Sequence, residues 1–490
     1  MLAFASEIKS LLQHPEIPRE LDPDGLALFL TYDYVPYPYS IFKGIQKLPP
    51  ASLLRYQHGK IAITRYWNLD FSPQAMASAA SEDALISEFR TRMTQAVAYR
   101  LESDVPLGVF LSGGLDSSFI TALMCTLRPP STVKTFSIHF DDASFDESRY
   151  STQVARHLGT EHHAATFHSR ELCDLIPSIA EMMDEPFADA SLFPTYLLSR
   201  FARSQVTVAL SGDGSDELLA GYPTFYARKV ATYYRQLPQC LQRLAALLIR
   251  RLPTSTGYMS LDFKLKQFIA GTHETGARQQ QAWLSGFLPH ELDALFSPEF
   301  SRLRTRPDPY QLIDAEMKHC HAKDDLDRDT YFYSKFYLAE DILTKSDRAS
   351  MANSLELRAP FLDKDVAAFV TRLPTTLRLK GSTGKYLLKR AADGLLPPEI
   401  IHRSKQGFGV PIAHWFRHQL KSLLADHLQG RLFRESGIFN GGYVDRLLEE
   451  HWRGTHDHRK KLFPLLMVAI WQEAAGKEAT CQHHLRTVTN

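Results

Sequence analysis

Cysteine is scarce in this chain of 490 residues: five are present, Cys125, Cys173, Cys240, Cys320 and Cys481, and none stands in a CxxC pair. An odd, scattered set excludes a disulfide framework and a cysteine-ligated zinc site, and it fits a reducing compartment. An excess of charge of one sign is missing as well. Lys plus Arg number 56 against 55 Asp plus Glu, so no global field draws the protein to nucleic acid or to an acidic membrane. Long apolar runs are lacking too. Leu462 to Trp471 contains Pro464 and is about half of the ~20 residues that a bilayer-spanning helix needs, so it reads as a buried helix. The opening Met1 to Leu12 has neither a basic leader nor a long apolar stretch, which excludes a secretory signal and makes the cytoplasm the expected location. What is present is ordinary globular composition, 44% hydrophobic and 23% charged, at a length that predicts two or three domains.

Periodicity divides the chain. Asp22 to Tyr32 predicts a short helix, and Ser52 to Tyr56 with Ile61 to Tyr66 predict a hairpin around His58-Gly59. Ser72 to Ser81 is rich in Ser and Ala and reads as a linker between a block at 1–71 and a second domain at 82–490. Leu85, Phe89, Met93, Val97 and Leu101 then fall on one helical stripe. From Pro106 to Leu210 strands and helices alternate: strands at 106–111, 134–140, 163–167 and 206–210, helices at 117–127, 147–158 and 172–183. This order predicts an α/β fold with a doubly wound parallel sheet, whose ligands lie beyond the carboxyl ends of the strands. A helical extension is expected over about 226–329, and Tyr331, Phe332, Tyr333, Phe336 and Tyr337 read as helix packing, not as a stacking platform for nucleic acid.

The first glycine-rich motif, Ser112-Gly113-Gly114-Leu115-Asp116-Ser117-Ser118, leaves a predicted strand and opens a predicted helix. Paired glycines let backbone N–H groups approach anionic oxygens, the serine hydroxyls add donors, and the helix start adds a positive dipole end, a combination suited to pyrophosphate. Asp116 is placed to hold Mg²⁺. GxxxxGK[ST] is absent at this site, so release of pyrophosphate is expected in place of γ-phosphoryl transfer. A strand-to-helix turn capped by Asp and Ser explains one or two of these residues but not all of them. The second motif, Ser211-Gly212-Asp213-Gly214-Ser215-Asp216-Glu217, again follows an apolar strand and crowds three carboxylates together. A divalent cation or a shared proton relieves such crowding, which gives Asp216 to the metal and Asp213 to proton handling; taken alone, an acid-rich helix start is the competing explanation.

The two motifs together resemble the synthetase domain of the glutamine-dependent asparagine synthetases, and the likeness extends over most of the chain. The resemblance implies a sheet of the adenine nucleotide alpha-hydrolase (PP-loop ATP pyrophosphatase) type, with ATP and Mg²⁺ as cofactors. It places Phe110, Phe136, Ser137 and Ile138 at the adenosine and Ser211-Gly212 against the nucleotide. Asp141, Phe145, Asp146 and Glu147 resemble the family's acidic loop, and Asp184-Glu185-Pro186 its next loop; ordinary capping explains both equally well. Asp347-Arg348-Ala349-Ser350-Met351 and Ser354 to Asp363 resemble the signature near nucleotide and acyl substrate, where Glu356 and Arg358 are either substrate contacts or scaffold pairs; Lys345 is equally ambiguous. In Arg403-Ser404-Lys405-Gln406-Gly407-Phe408-Gly409 a lysine on a glycine-flanked loop can reach phosphate, which makes Lys405 the expected leaving-group stabiliser. Lys385 matches a basic position of the family or is a solvated lysine at a helix start.

Leu2 to Leu11 resembles the last third of the same family's Ntn-type (class II) glutaminase domain, with Leu53 to Trp67 as its closing hairpin, so 1–71 reads as the C-terminal remnant of that domain. The family's N-terminal cysteine nucleophile has no counterpart before Cys125, and glutaminase activity is not expected of this chain alone. A truncated record, use of free ammonia and a separate glutaminase partner all stay open, as does a homodimer. The implied reaction is ATP-dependent amide synthesis through an acyl adenylate, with aspartate as carboxylate and ammonia, free or from glutamine, as nitrogen source. Another carboxylate such as a sugar acid or peptide, or a nucleotide-binding subunit without turnover, are the alternatives. The histidines at 162–163, 456 with 458, and 483–484 show no HExxH or Cys/His spacing and read as solvated imidazoles.

Overall fold

Apolar runs that are hydrophobic on both faces need cover on both sides, and of the four segments between residues 107 and 210 that become parallel strands, two, 107–110 and 208–210, are of this kind. After the hairpin strands β1 (Ser52–Gln57) and β2 (Lys60–Arg65) come β3 (Leu107–Phe110), β4 (Lys134–Phe140), β5 (Glu161–Phe167) and β6 (Val208–Leu210), and a fifth parallel member, β7 (Glu356–Arg358), is added from far along the chain. The spatial order is β5-β4-β3-β6-β7. The computed structural model describes residues 2–72, 80–140, 147–255, 257, 259–306, 308–403, 407 and 409–488. The chain enters the sheet at β3, runs outward through β4 to β5, then crosses back to β6 on the other side. That reversal puts the switch point between β3 and β6, so the turns after both strands open into one crevice.

Crossover helices Leu115–Leu127, Ser148–Leu158, Ser169–Met182 and Leu192–Arg203 join the strands, and the core lies on both faces of the sheet. On one face Val109 and Leu210 pack with Phe89, Met93, Phe119 and Leu388; on the other Phe136 and Ala209 pack with Phe193, Leu197, Phe336 and Leu466. The stripe Leu85, Phe89, Met93, Val97, Leu101 is buried along helix Glu82–Arg100 and its end. Ser81 caps that helix by accepting from the Ala84 N–H at 3.3 Å. All named elements from Pro223 to Phe332 are helices. The aromatic run that follows is packing: Tyr331, Phe332, Tyr333 and Phe336 are buried.

Helix Pro23–Tyr32 starts at Asp22, whose carboxylate accepts from the Asp24 N–H at 2.9 Å, and nearly all of it is buried. Its Leu26, Phe29 and Leu30 lie in the same core as Phe193 and Leu466. The hairpin turns through His58 (φ 51°) and Gly59 (φ 77°), the pair of left-handed residues that a tight two-residue turn requires. The linker reading at 72–81 falls largely on residues 73–79, outside the described residues, as do Asp141, Phe145, Asp146 and Lys405. Helix Leu192–Arg203 and β7 have no counterpart in the sequence-based expectation. β7 is too short and too polar to show a period, and pairing makes it a strand: Glu356 N–H donates to the Thr207 carbonyl at 3.0 Å and Ser211 N–H to that of Arg358 at 2.9 Å. Among the described residues no helix is long and apolar enough to cross a membrane.

Candidate active site at the strand switch point

The turn after β3 is closed by its own hydroxyls. Ser112 N–H donates to Ser117 Oγ at 3.2 Å, Gly114 N–H to Ser112 Oγ at 3.2 Å, and Ser117 Oγ to the Gly114 carbonyl at 3.3 Å. Gly113 has φ +73°, and a Cβ there would stand 2.5 Å from the Ser151 nitrogen, so only glycine lets the turn lie against helix Ser148–Leu158. Ser118 is fully buried in the first turn of helix Leu115–Leu127. The turn leads directly into the start of helix Leu115–Leu127, and a helix N-terminus is a general setting for phosphate oxygens.

The turn after β6 packs directly against the first. A Cβ on Gly212 would be 3.1 Å from the Asp116 Cβ, and Ser215 Oγ donates to Asp116 Oδ1 at 2.7 Å. Asp213 accepts from Ser211 Oγ at 2.9 Å and from Ser346 Oγ at 3.0 Å. Asp116 and Asp216 converge on one cation of the chain, because Lys385 Nζ lies 2.6 Å from Asp116 Oδ2 and 2.7 Å from Asp216 Oδ1. Lys385 stands at φ 54° just before helix Tyr386–Ala392. Burial by itself would lower its pKa, but Asp116 and Asp216 outweigh that and raise it, so the ammonium stays charged. Gly221 makes room for this triad: a Cβ there would fall 1.9 Å from Asp216 Oδ1 and 2.2 Å from Lys385 Cε. Two aspartates that meet a single ammonium are close enough to share a small divalent ion, and their hard oxygens are the donors Mg²⁺ takes. Both side chains keep some exposure, 21% and 16%, so a hydrated ion can reach them.

The other residues singled out in the sequence divide. Phe110 and Ile138 end β3 and lie within β4, the first half-buried and the second buried. Arg348 pairs with Glu7, and its second nitrogen is 3.5 Å from Asp184. Asp184 in turn accepts from Ile8 N–H at 2.8 Å and Lys9 N–H at 3.3 Å, while Glu185 accepts from Ile41 N–H at 2.7 Å and pairs with Lys47. These groups tie the N-terminal segment to the sheet domain. Asp347 is exposed. Glu356 and Arg358 pair at 2.7 Å, and Arg358 also donates to the carbonyls of Arg100 (2.9 Å) and Glu102 (2.7 Å) at the end of helix Glu82–Arg100. Lys405 lies outside the described residues, but the root of its loop does not. Arg403 donates to the Gly113 carbonyl at 3.3 Å and to Glu147 at 2.6 Å, with its guanidinium 3.8 Å from the Tyr150 ring centre.

One layer of the site gave little signal in the sequence. Lys345 donates to Asp189 and to Ser191 Oγ, both at 2.8 Å. Burial would lower its pKa, but Asp189, Asp341 and Asp213 raise it. Burial would raise Asp189, and Lys345 and Ser191 more than offset that, so its pKa is lowered. Asp341 is pushed well above the carboxylate range by burial and by Asp189. Ser346 and Asp189 stand in no motif that sequence reading singles out, and Ser215, though inside the second motif, has no role readable there, because their partners arrive from distant segments.

Comparison with known proteins now bears on this crevice. Residues 88–473 match the family model for asparagine synthase, and residues 1–67 match that of a glutamine amidotransferase domain. The chain is 30% identical over 470 residues to asparagine synthetase (glutamine-hydrolyzing) 1 of Bacillus subtilis, covering 96% of this chain and 71% of that protein. It is 32% identical over 483 residues to a putative asparagine synthetase (glutamine-hydrolyzing) of Mycobacterium tuberculosis, covering 96% of this chain and 70% of that one. A putative asparagine synthetase (glutamine-hydrolyzing) 2 of Methanocaldococcus jannaschii is 32% identical over 368 residues, 73% of this chain and 67% of its own length. With the matched family region enclosing both glycine-rich turns and the lysine that joins their aspartates, the chain belongs to the asparagine synthase family, ATP-dependent ligases that form carbon–nitrogen bonds.

Proposed function

We propose that this chain makes asparagine from aspartate. The observation that carries the reading is the meeting of Asp116, Asp216 and Lys385 beneath the glycine turn at the strand switch point. In the first step the aspartate side-chain carboxylate attacks the α-phosphorus of ATP; the bond to the bridging oxygen breaks, and pyrophosphate leaves with the electron pair. In the second, ammonia attacks the acyl carbon of the adenylate, AMP departs, and the surplus proton of the new amide passes to a base. The N–H groups of the 112–118 turn hold the departing phosphates, and Lys405 brings a positive charge to them. Mg²⁺, when held by Asp116 and Asp216, supplies further positive charge against the phosphate oxygens. Asp213, oriented by Ser211 and Ser346, takes the proton. Phe110 and Ile138 border the adenosine.

The sheet is assigned to the PP-loop ATP pyrophosphatase type, with 82–490 as its domain, 226–329 as a helical extension, and 1–71 as the C-terminal part of an Ntn-type amidotransferase domain. Ammonia is the nitrogen source, free or released from glutamine. ATP–pyrophosphate exchange measured against a panel of carboxylates tests the reading. Exchange with aspartate, with AMP formed once ammonia is added, is expected. Exchange only with another acid reassigns the substrate, and nucleotide binding without exchange removes catalysis. Asp116→Ala should abolish exchange and leave the circular dichroism spectrum unchanged; a variant that still exchanges at the wild-type rate places the chemistry elsewhere.

A further inference from the structure

Helix Gly441–Trp452 and the long helix Arg459–Val488 are joined by a short turn that folds back onto the end of the first. The backbone N–H groups of Thr455 and His456 both donate to the Glu450 carbonyl, at 3.1 and 3.2 Å, and the Thr455 hydroxyl adds a third bond at 3.0 Å. That closure brings together ligand types which the sequence spacing keeps apart. His458 Nε2 lies 2.6 Å from Glu450 Oε2, and His456 Nδ1 lies 3.7 Å from the same oxygen. One ligand atom from each of the three residues falls within 4.8 Å of the other two. The two imidazoles stack, with centroids 5.5 Å apart and planes 11° from parallel, so both rings are held on one side of the turn.

We propose that Glu450, His456 and His458 form a binding site for a divalent transition-metal ion of the zinc class, which pins the turn that leads into the long C-terminal helix onto the end of helix Gly441–Trp452. Two imidazoles and one carboxylate are a zinc donor set, with water left to complete the tetrahedron. Ligand bonds of about 2.0–2.2 Å require the three atoms to gather around one point, and side-chain rotation supplies that movement because His456 is exposed. The neighbouring His451 is not a ligand. Its Nδ1 accepts from His458 N–H at 3.1 Å and its Nε2 is 3.2 Å from the Ala413 carbonyl, so it positions the turn from below. Arg417 Nε donates to the His451 carbonyl at 3.0 Å and Trp452 Nε1 to that of Phe416 at 3.1 Å. The pinned turn thus braces helix Ile412–Arg417, which follows the Arg403–Pro411 segment.

The test uses the full chain, stripped with EDTA and without nucleotide, titrated with Zn²⁺ and with Co²⁺ as a spectroscopic stand-in. One tight equivalent with a tetrahedral Co²⁺ visible spectrum is expected, with a Zn²⁺-dependent rise in Tm that EDTA reverses. His456→Ala, at an exposed position that the fold does not depend on, should weaken binding on the order of tenfold or more and remove the Tm rise. Glu450→Gln, which keeps a hydrogen-bonding side chain, should do the same. Wild-type affinity in the double variant His456→Ala/His458→Ala would overturn the proposal, as would a wild-type Tm indifferent to Zn²⁺. Neither result touches the assignment at Asp116 and Asp216.

Discussion

A single added methyl group locates the centre of the site. Alanine at Gly221 would drive a Cβ into Asp216 and into the stem of Lys385, so Gly221→Ala is expected to lower ATP–pyrophosphate exchange severely while costing only about 1–3 kcal/mol of stability in chemical denaturation. Equal loss from Gly221→Ala and from alanine at an open turn such as Gly381, where nothing lies within 4 Å, would contradict this. Lys385 has a different signature. Lys385→Met leaves two neighbouring carboxylates without their shared cation, a loss of roughly 3 kcal/mol. Mg²⁺ should then raise the Tm of the variant more than that of the wild type, because the ion replaces the missing charge. An identical Mg²⁺ response in both proteins would show that the two aspartates do not share an ion.

Among elements, the tie between the N-terminal segment and the sheet domain is the one open to direct measurement. Arg348, Glu7 and Asp184 hold the short helix Ile8–Leu11 through side-chain pairs and two backbone N–H groups. These groups are partly exposed, so Arg348→Ala should cost no more than about 1 kcal/mol, yet amide hydrogen exchange in residues 8–12 should speed up markedly. Were Arg348 instead a contact for the acyl substrate, the Michaelis constant for aspartate would rise with exchange in 8–12 unchanged. The first three crossover helices and strands β3 to β6 were legible from their apolar patterning, whereas helix Leu192–Arg203 was not. β7 was not, since a three-residue strand of Glu, Leu and Arg acquires its conformation from the open edge of β6.

Taken whole, the molecule carries a row of titratable groups where the N-terminal segment meets the sheet domain, with Asp341 and Lys345 buried and Glu185, Lys47, Glu340 and Asp189 half-buried. Glu340 is the clearest. Burial, opposed by Lys47 and reinforced by Glu185, raises its pKa from 4.5 to about 7. A folded-state pKa above the unfolded value gives stability that is complete below pH 4.5 and is lost as the pH rises to about 7, here about 3 kcal/mol at most. Glu340→Gln should accordingly gain stability relative to wild type as the pH is raised through that window, measured by urea denaturation at each pH. A difference that stays flat from pH 4.5 to 7 would show that the carboxyl titrates normally.

The sequence by itself determined the alternation of strands and helices, the two glycine-rich turns with their aspartates, and the family those motifs resemble, because each is written in consecutive residues whose spacing the backbone enforces. Tertiary structure alone decided that Lys385 joins Asp116 to Asp216, that Arg403 anchors its loop at Gly113, and that Arg348 faces Glu7 and Asp184. Those partners lie far apart in the chain, and charge pairing at such range follows from how the helices pack, which no local pattern of residues records.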